Sequence, residues 1–486
     1  MATPIPANRT PFTAAQILEA TGGQMLRAGS GRVDGVVTDS RADVAGKLFV
    51  ALRGESFDGH AFVGHVMQRG AAGVLIDRQV DVGTDRLVIR VPDTLDGLGA
   101  LARMHRRRWG GKVVAIGGSA GKTTTRAAVS AVLDRLAPGT VAFERGNLNN
   151  RIGVPMVLLS IEDQHRTAVV EVGTNQRGEV SLLADLCAPD VAVLTLVDLE
   201  HTEGLGDLDA IEIEEGALLE AVGTDGVAIA NVDDWRARRR LDLSPATTRI
   251  GYGRAVDAPY RLAARQAVGL DASQVRVARP QGGELEFRCR LCGEPGALAA
   301  AASVAVAEVL SGHPVDLPTV QAALDDPGVR ERGRLIPVEL ADGTVVLDDT
   351  YNSNPASARS SILAAREFAL VREARLVLVL GEMRELGAAS VQEHSRLGTD
   401  AARSGAVEVI GVSGDARVLV EAAGVAGASA AFAPDAAAAL RMLQDCMRRG
   451  DVVLVKASRG VRAERIVEGL VGAQGAGTWS TSCSTP

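Results

Sequence analysis

The chain has 486 residues, 46% of them hydrophobic and only 3% aromatic, which is enough apolar material for about three cores packed from small residues rather than rings. Its net charge of −8 excludes a nucleic-acid binder that relies on a broad basic face, and the arginine triplets at 106–108 and 238–240 read as solvated helix faces. Five scattered cysteines fit a reducing compartment, and Cys289-x-x-Cys292 without a second pair is a poor zinc signal.

Residues 1–109 open without the basic and apolar stretches of a signal peptide, which points to the cytoplasm. A helix is expected near 14–21, a strand running into a turn over 33–41, a strand at 48–52, a helix at about 60–70 and a strand at 73–76. The second block begins with the apolar run Val113-Val114-Ala115-Ile116, a buried strand, followed by Gly117-Gly118-Ser119-Ala120-Gly121-Lys122-Thr123-Thr124-Thr125. Such a turn lets backbone N–H groups close around phosphate oxygens at a helix N-terminus. Lys122 can reach β/γ-phosphates, and the Thr123 hydroxyl can ligate Mg²⁺. The strict pattern wants a glycine where Ile116 stands, so the loop is a shortened variant.

Strands recur at 168–172 and 191–197 with helices between them, which implies a parallel sheet covered on both faces. Glu171, at the end of the first of these, is a carboxylate placed to ligate Mg²⁺. Asn147, Asn149 and Asn150 concentrate amides in one short segment, and His201 follows the second strand. The alanine-rich stretch 297–310, interrupted by Glu308, reads as a core helix rather than a membrane span. A third block from about 333 has strands at 345–347, 376–380, 407–412 and 452–455. These apolar runs suit the interior of a doubly wound sheet, whose ligands sit beyond the carboxyl ends of the strands. The polar loop Asp348-Asp349-Thr350-Tyr351-Asn352-Ser353-Asn354-Pro355 lies at such an end. The residues from 472 onward, rich in Gly, Ser and Thr, read as a disordered tail.

Together these segments resemble the Mur ligases, ATP-dependent amide-bond-forming enzymes of peptidoglycan precursor synthesis. The resemblance rests on Asp39-Ser40-Arg41, residues 49–54 and Asp58-Gly59-His60 in the first block. In the second it rests on the phosphate loop, GNLNNRIGVP (146–155), EVGTNQRGEV (171–180) and residues 231–234. In the third it rests on DDTYNSNP (348–355), LGEMRELG (380–387) and VKASRGVRAE (455–464). It implies three α/β domains: a small UDP-substrate domain (1–109), a central P-loop domain with a parallel sheet (110–332), and a Rossmann-like ligase domain (333–471).

The implied reaction phosphorylates the terminal carboxylate of a UDP-muramoyl tripeptide with ATP, and the amine of D-alanyl-D-alanine then displaces phosphate from the acyl phosphate. ATP and Mg²⁺ are the implied cofactors, and a monomer without nucleic-acid partners is the expected state. By resemblance Gly118, Ser119, Ala120, Gly121, Lys122, Thr123 and Thr124 cradle the nucleotide, with Asp349 and Asn354 from the last domain. Thr123, Glu171 and His201 serve Mg²⁺, while Asn149, Asn150 and Arg334 flank the reacting groups. Ser40 and Arg41 take the UDP end, and Asn352, Ser458 and Arg459 lie on the substrate side.

Two departures stand out. Where relatives carry a lysine that CO₂ carbamylates, this chain has Glu215, which we expect to replace the carbamate as a metal-site carboxylate. Where relatives have a His/Asn segment near the adenine, this chain has Leu291-Cys292-Gly293-Glu294-Pro295-Gly296. These changes leave two alternatives open: a catalytically weakened nucleotide- or substrate-binding scaffold, and an amide ligase for another acceptor such as a folate-type polyglutamate chain.

Overall fold

The computed structural model describes residues 4–29, 31–54, 57–80, 85–269 and 271–474. Of the expected tail, residues 472–474 complete the helix Glu464–Gln474, and 475–486 lie outside the described residues. The chain divides into two compact units.

The first unit comprises 1–115, 137–174 and 179–191. Its five-stranded sheet runs in the order Gln24–Arg27, Leu87–Arg90, Gly73–Ile76, Leu48–Val50, Val36–Val37. All pairings are parallel except that of the outermost strand Gln24–Arg27. The helix Ala14–Thr21 starts at a reciprocal Thr13/Gln16 capping box and stops at Gly22 in the left-handed region. The expected strand running into a turn over 33–41 is split at Gly35, whose φ of 126° ends Arg32–Asp34 and begins Val36–Val37. The expected helix near 60 begins instead as the 3-10 turn Gly59–Phe62 before Val63–Gln68.

The arginine triplets do not read as solvated faces throughout. Arg106 is buried, donating to the Cys187 and Ala188 carbonyls and to Asp190. Arg240 is buried too, with its Nε on the Glu212 carbonyl. Their aliphatic stems pack inside while each guanidinium finds oxygen partners.

The second unit comprises 116–136, 175–178 and 192 onward, and holds two sheets. In one, Val227–Asn231 pairs parallel with Thr248–Gly253, and the latter with Tyr260–Val268. The sheet then turns antiparallel through Ala272–Ala278 and Glu284–Cys289, an extension beyond the expected parallel part. The cause is local. Glu284–Cys289 alternates exposed and buried residues, the period of a strand with one solvated face, and the connections are too short for a helical crossover. The helix Gly293–Ser311 packs against Lys122–Leu136. It is long and apolar enough to cross a membrane, but 72% of its most apolar window is buried inside the protein, as a core helix would be.

The other sheet runs Ile336–Glu339, Val345–Asp349, Val452–Lys456, Leu376–Gly381, Glu408–Val412, Ala430–Ala433. It is parallel apart from its first strand. Val345–Asp349, Leu376–Gly381 and Val452–Lys456 are buried at every position, because helices cover both faces. Their carboxyl ends deliver Asp349, Gly381 and Lys456 to one edge, where the polar loops gather.

Candidate active site

The strand Lys112–Gly117 ends in the glycine-rich loop, and the helix Lys122–Leu136 starts directly after it. Gly118 has a φ of 118°, and a Cβ there would sit 2.9 Å from the Leu196 carbonyl, so only glycine fits. The loop is fastened to the segment 195–198. Ser119 N–H donates to the Leu196 carbonyl (2.8 Å), Thr195 Oγ1 to the Ala120 carbonyl (2.6 Å) and Asp198 N–H to Ser119 Oγ (3.0 Å). The Gly118 amide donates to Glu215 Oε2 at 2.7 Å. The N–H groups of Gly118 and Ser119 thus have partners within the protein.

Lys122 Nζ donates to the Gly118 carbonyl at 2.5 Å and lies 3.5 Å from Glu200 Oε2. Glu200 and Glu215 are both buried, and each keeps one carboxylate oxygen without a hydrogen-bond partner. Burial pushes the Glu200 carboxyl well above the usual range; Lys122 opposes the shift and neighbouring Glu215 adds to it. Sequence reasoning passed over Glu200, although its place directly before His201 beyond a strand end was a usable signal.

His201 adopts a φ of 48°, uncommon for a residue with a side chain, and its Nδ1 meets the Glu385 carboxylate. Glu385 is also left-handed (φ 65°), and its carbonyl faces Thr202 Oγ1 and the Glu203 N–H, each at 3.4 Å. The loop carrying Glu385 is anchored by the buried His394, whose Nε2 accepts the Met383 N–H at 2.9 Å. The His201 contact holds the Glu385 carboxyl below the usual range.

The C-terminal sheet reaches the phosphate loop at several points. Arg334 donates to Thr123 Oγ1 at 3.1 Å, and Asn354 Nδ2 to the Ser119 carbonyl at 3.0 Å. Arg359 pairs with Asp198 at 2.9 Å. Asn354 also caps the helix Pro355–Val371 through Ser357, so its amide fixes the loop and the helix start together. Asp349 is held by Lys456 Nζ (2.6 Å) and Ser361 Oγ (2.5 Å), and the same ammonium donates to the Asn352 carbonyl (3.0 Å). Ser458 Oγ accepts the Arg384 N–H and donates to the Ser353 carbonyl. Thr124 lies in the first turn of the helix Lys122–Leu136.

The remaining expected residues lie in the first unit. Glu171 ends the strand Thr167–Glu171, buried, and accepts Asn149 Nδ2 at 2.9 Å. Asn150 Oδ1 accepts the Ile152 and Gly153 amides at the start of the helix Gly153–Leu159. The Ser40 carbonyl takes an Arg69 hydrogen bond, and the exposed Arg41 chelates Asp39. Cys289 is buried, with its thiol pushed up by burial to about 12, and among the described residues no three His, Cys, Asp or Glu side chains cluster as a metal cage.

A phosphate loop at a strand end, with buried carboxyl groups beside it and residues of a second α/β sheet's connections hydrogen-bonded to it, has the parts of a nucleotide-using transferase or ligase. Residues 32–106 match the family model described as "Mur ligase family, catalytic domain", 116–307 "Mur ligase middle domain", and 333–459 "Mur ligase, glutamate ligase domain". The UDP-N-acetylmuramoyl-tripeptide–D-alanyl-D-alanine ligase of Escherichia coli (strain K12) is 31% identical over 465 residues, 94% of this chain and 98% of that relative. A crystal structure of MurF from Acinetobacter baumannii superposes with a TM-score of 0.84 at 30% identity, covering 95% of this chain and 99% of that one. The MurF ligase of Thermotoga maritima in complex with ADP gives 0.77 at 26% identity, covering 90% and 96%. The chain belongs to the Mur ligase family.

Proposed function

We propose that this chain joins D-alanyl-D-alanine to UDP-N-acetylmuramoyl-tripeptide at the expense of ATP, through an acyl phosphate, in peptidoglycan precursor synthesis. The observation that carries the reading is the grip of the C-terminal sheet on the phosphate loop through Arg334 on Thr123 and Asn354 on Ser119. A ligase must bring an acceptor amine to a carboxylate as it is phosphorylated, and acceptor residues on the second sheet do this only if that sheet seats against the phosphate loop.

The chemistry asks for positioning and charge neutralisation more than covalent help. Lys122 holds the β/γ-phosphates; in this structure its ammonium donates to the Gly118 carbonyl and lies beside Glu200. Backbone donors from Ala120 onward cradle phosphate, since the amides of Gly118 and Ser119 are engaged elsewhere. Arg334, with a buried Nε–H that has no hydrogen-bond partner, stabilises charge on the transferred phosphoryl group. Asn149 and Asn150 orient the carboxylate that becomes the acyl phosphate, and Ser40 and Arg41 bind the UDP end. Asp349 orients the ribose, and Asn352, Ser458 and Arg459 serve the acceptor side.

The residues fit Mg²⁺. Glu200 and Glu215 are buried, each with one carboxyl oxygen that accepts no hydrogen bond, and Mg²⁺ takes one or two carboxylates plus phosphates rather than a full protein cage. Thr123, His201 and Glu215 would hold it, and Glu171 keeps the ligand role that the resemblance assigns. Bound there, Mg²⁺ would offset phosphate charge.

Phosphate release assayed with ATP, UDP-muramoyl tripeptide and D-Ala-D-Ala tests the reading, with a folate plus glutamate as the competing substrate pair. Release that requires both muramoyl tripeptide and dipeptide supports it; release only with folate and glutamate refutes it.

A further inference from the structure

Tyr351 sits between two guanidinium groups. Arg334 stacks on its ring at 4.3 Å from the centroid, and Arg459 lies 5.3 Å from the same centroid while donating to the phenol oxygen at 3.2 Å. The backbone fixes the ring in place: Tyr351 N–H donates to the Gly333 carbonyl (3.2 Å), and a Cβ on Gly333 would come within 3.2 Å of Tyr351 Cβ. The two arginines face different tasks. Arg334 reaches back to Thr123 Oγ1 in the phosphate loop. Arg459 opens the turn Arg459–Val461, beyond the strand Val452–Lys456, and is exposed.

Two cations side by side repel, and an aromatic face is one of the few neutral groups that attracts both. A planar guanidinium stacked in this way presents its N–H edge outward, the geometry that grips a carboxylate or a phosphate by two parallel hydrogen bonds. We propose that Tyr351 is a positioning residue that holds Arg334 toward the nucleotide phosphates with its ring and Arg459 toward the free carboxylate of the acceptor dipeptide with its hydroxyl. The ring thereby sets the spacing between the phosphorylated carboxylate and the acceptor. The acceptor half rests on the ligase reading above; the nucleotide half does not.

The two functions separate by substitution. Tyr351→Phe keeps the stack and removes the hydroxyl, whereas Tyr351→Leu removes both. ADP affinity, read by calorimetry on the full chain, and steady-state KM for D-Ala-D-Ala, read by phosphate release, are the two measurements.

For Tyr351→Phe the expected result is an unchanged ADP Kd and a rise in acceptor KM of about tenfold, the worth of one hydrogen bond to a charged group, with kcat little altered. For Tyr351→Leu both quantities rise, ADP Kd by about threefold or more as the stack is lost. Equal effects of Tyr351→Phe on ADP and acceptor, or no effect of Tyr351→Leu on either, would overturn the proposal. A wild-type chain that releases no phosphate with the dipeptide refutes the acceptor half together with the ligase reading. In that case a weaker ADP Kd in Tyr351→Leu but not Tyr351→Phe still upholds the nucleotide half, and an equal Kd in all three proteins removes it.

Discussion

The amide of Gly118 donates to Glu215 Oε2 at 2.7 Å, across 97 residues of sequence, and so ties the helix Leu208–Glu220 to the first glycine of the phosphate loop. Glu215 is fully buried, and its other oxygen lacks a hydrogen-bond partner. A carboxyl group so placed brings its oxygens to the loop without chemical modification of a side chain.

Ligation by this chain is therefore expected to proceed at full rate in bicarbonate-stripped buffer. Glu215→Gln, which keeps an oxygen for Gly118 but loses the charge, should lower kcat by about 10- to 100-fold with little change in melting temperature, as loss of a group tuning a metal site does. A large drop in wild-type rate on bicarbonate removal, restored by adding bicarbonate, would contradict the account.

Gly118→Ala forces a side chain into a φ of 118° and against the Leu196 carbonyl. The strain, about 1–3 kcal/mol, falls on the phosphate loop itself. Calorimetry should show ADP binding weakened by about tenfold or more, whereas Gly139→Ala, at a turn with open space around the glycine, should leave it unchanged.

Glu385 holds His201 Nδ1 and so fixes which ring nitrogen is presented to the site. Glu385→Gln should lower kcat by about tenfold and alter the pH–rate profile, while the KM for UDP-muramoyl tripeptide stays near wild type. An unchanged profile would leave the pair a purely structural contact.

Burial raises the Asp348 carboxyl pKa above its ordinary value, although the Thr350 hydroxyl and amide donate to it. The native chain then holds this proton to higher pH than the unfolded chain does. The stability it contributes is fully present below about pH 4 and is lost as pH rises through the folded pKa. Asp348→Asn keeps the acceptor oxygen and removes the titration. Its melting temperature relative to wild type should rise as pH climbs above about 4, a trend that differential scanning calorimetry can check and that a flat difference would contradict.

Local signals carried much of this architecture. The apolar run before Gly117, the helix after it and the polar loop at 348–355 each follow from short-range chemistry, and the helix Ala14–Thr21 falls where its capping box and glycine stop place it. What escaped was long-range or two-sided. The alternation in Glu284–Cys289 signals a strand with one solvated face, but which neighbour it pairs with is set by the fold. Arg106 and Arg240 looked like surface residues because a run of arginines does not reveal which one finds carbonyl partners inside. Glu200, Glu385 and Arg359 could not be paired with Lys122, His201 and Asp198 from spacing alone, since folding brings each pair together from distant segments. Asn354 has the composition of a ligand-binding residue, yet its amide is used between a helix start and the Ser119 carbonyl.

The central claim is that the phosphate loop and the C-terminal sheet together form an acyl-phosphate ligase site. The most direct test measures phosphate release by the full chain with ATP, Mg²⁺, UDP-muramoyl tripeptide and D-Ala-D-Ala, omitting each component in turn. The account predicts release only when all are present, with one amide product formed per phosphate, and its loss in Lys122→Ala. Phosphate release that ignores the dipeptide, or none at saturating substrates, would contradict it.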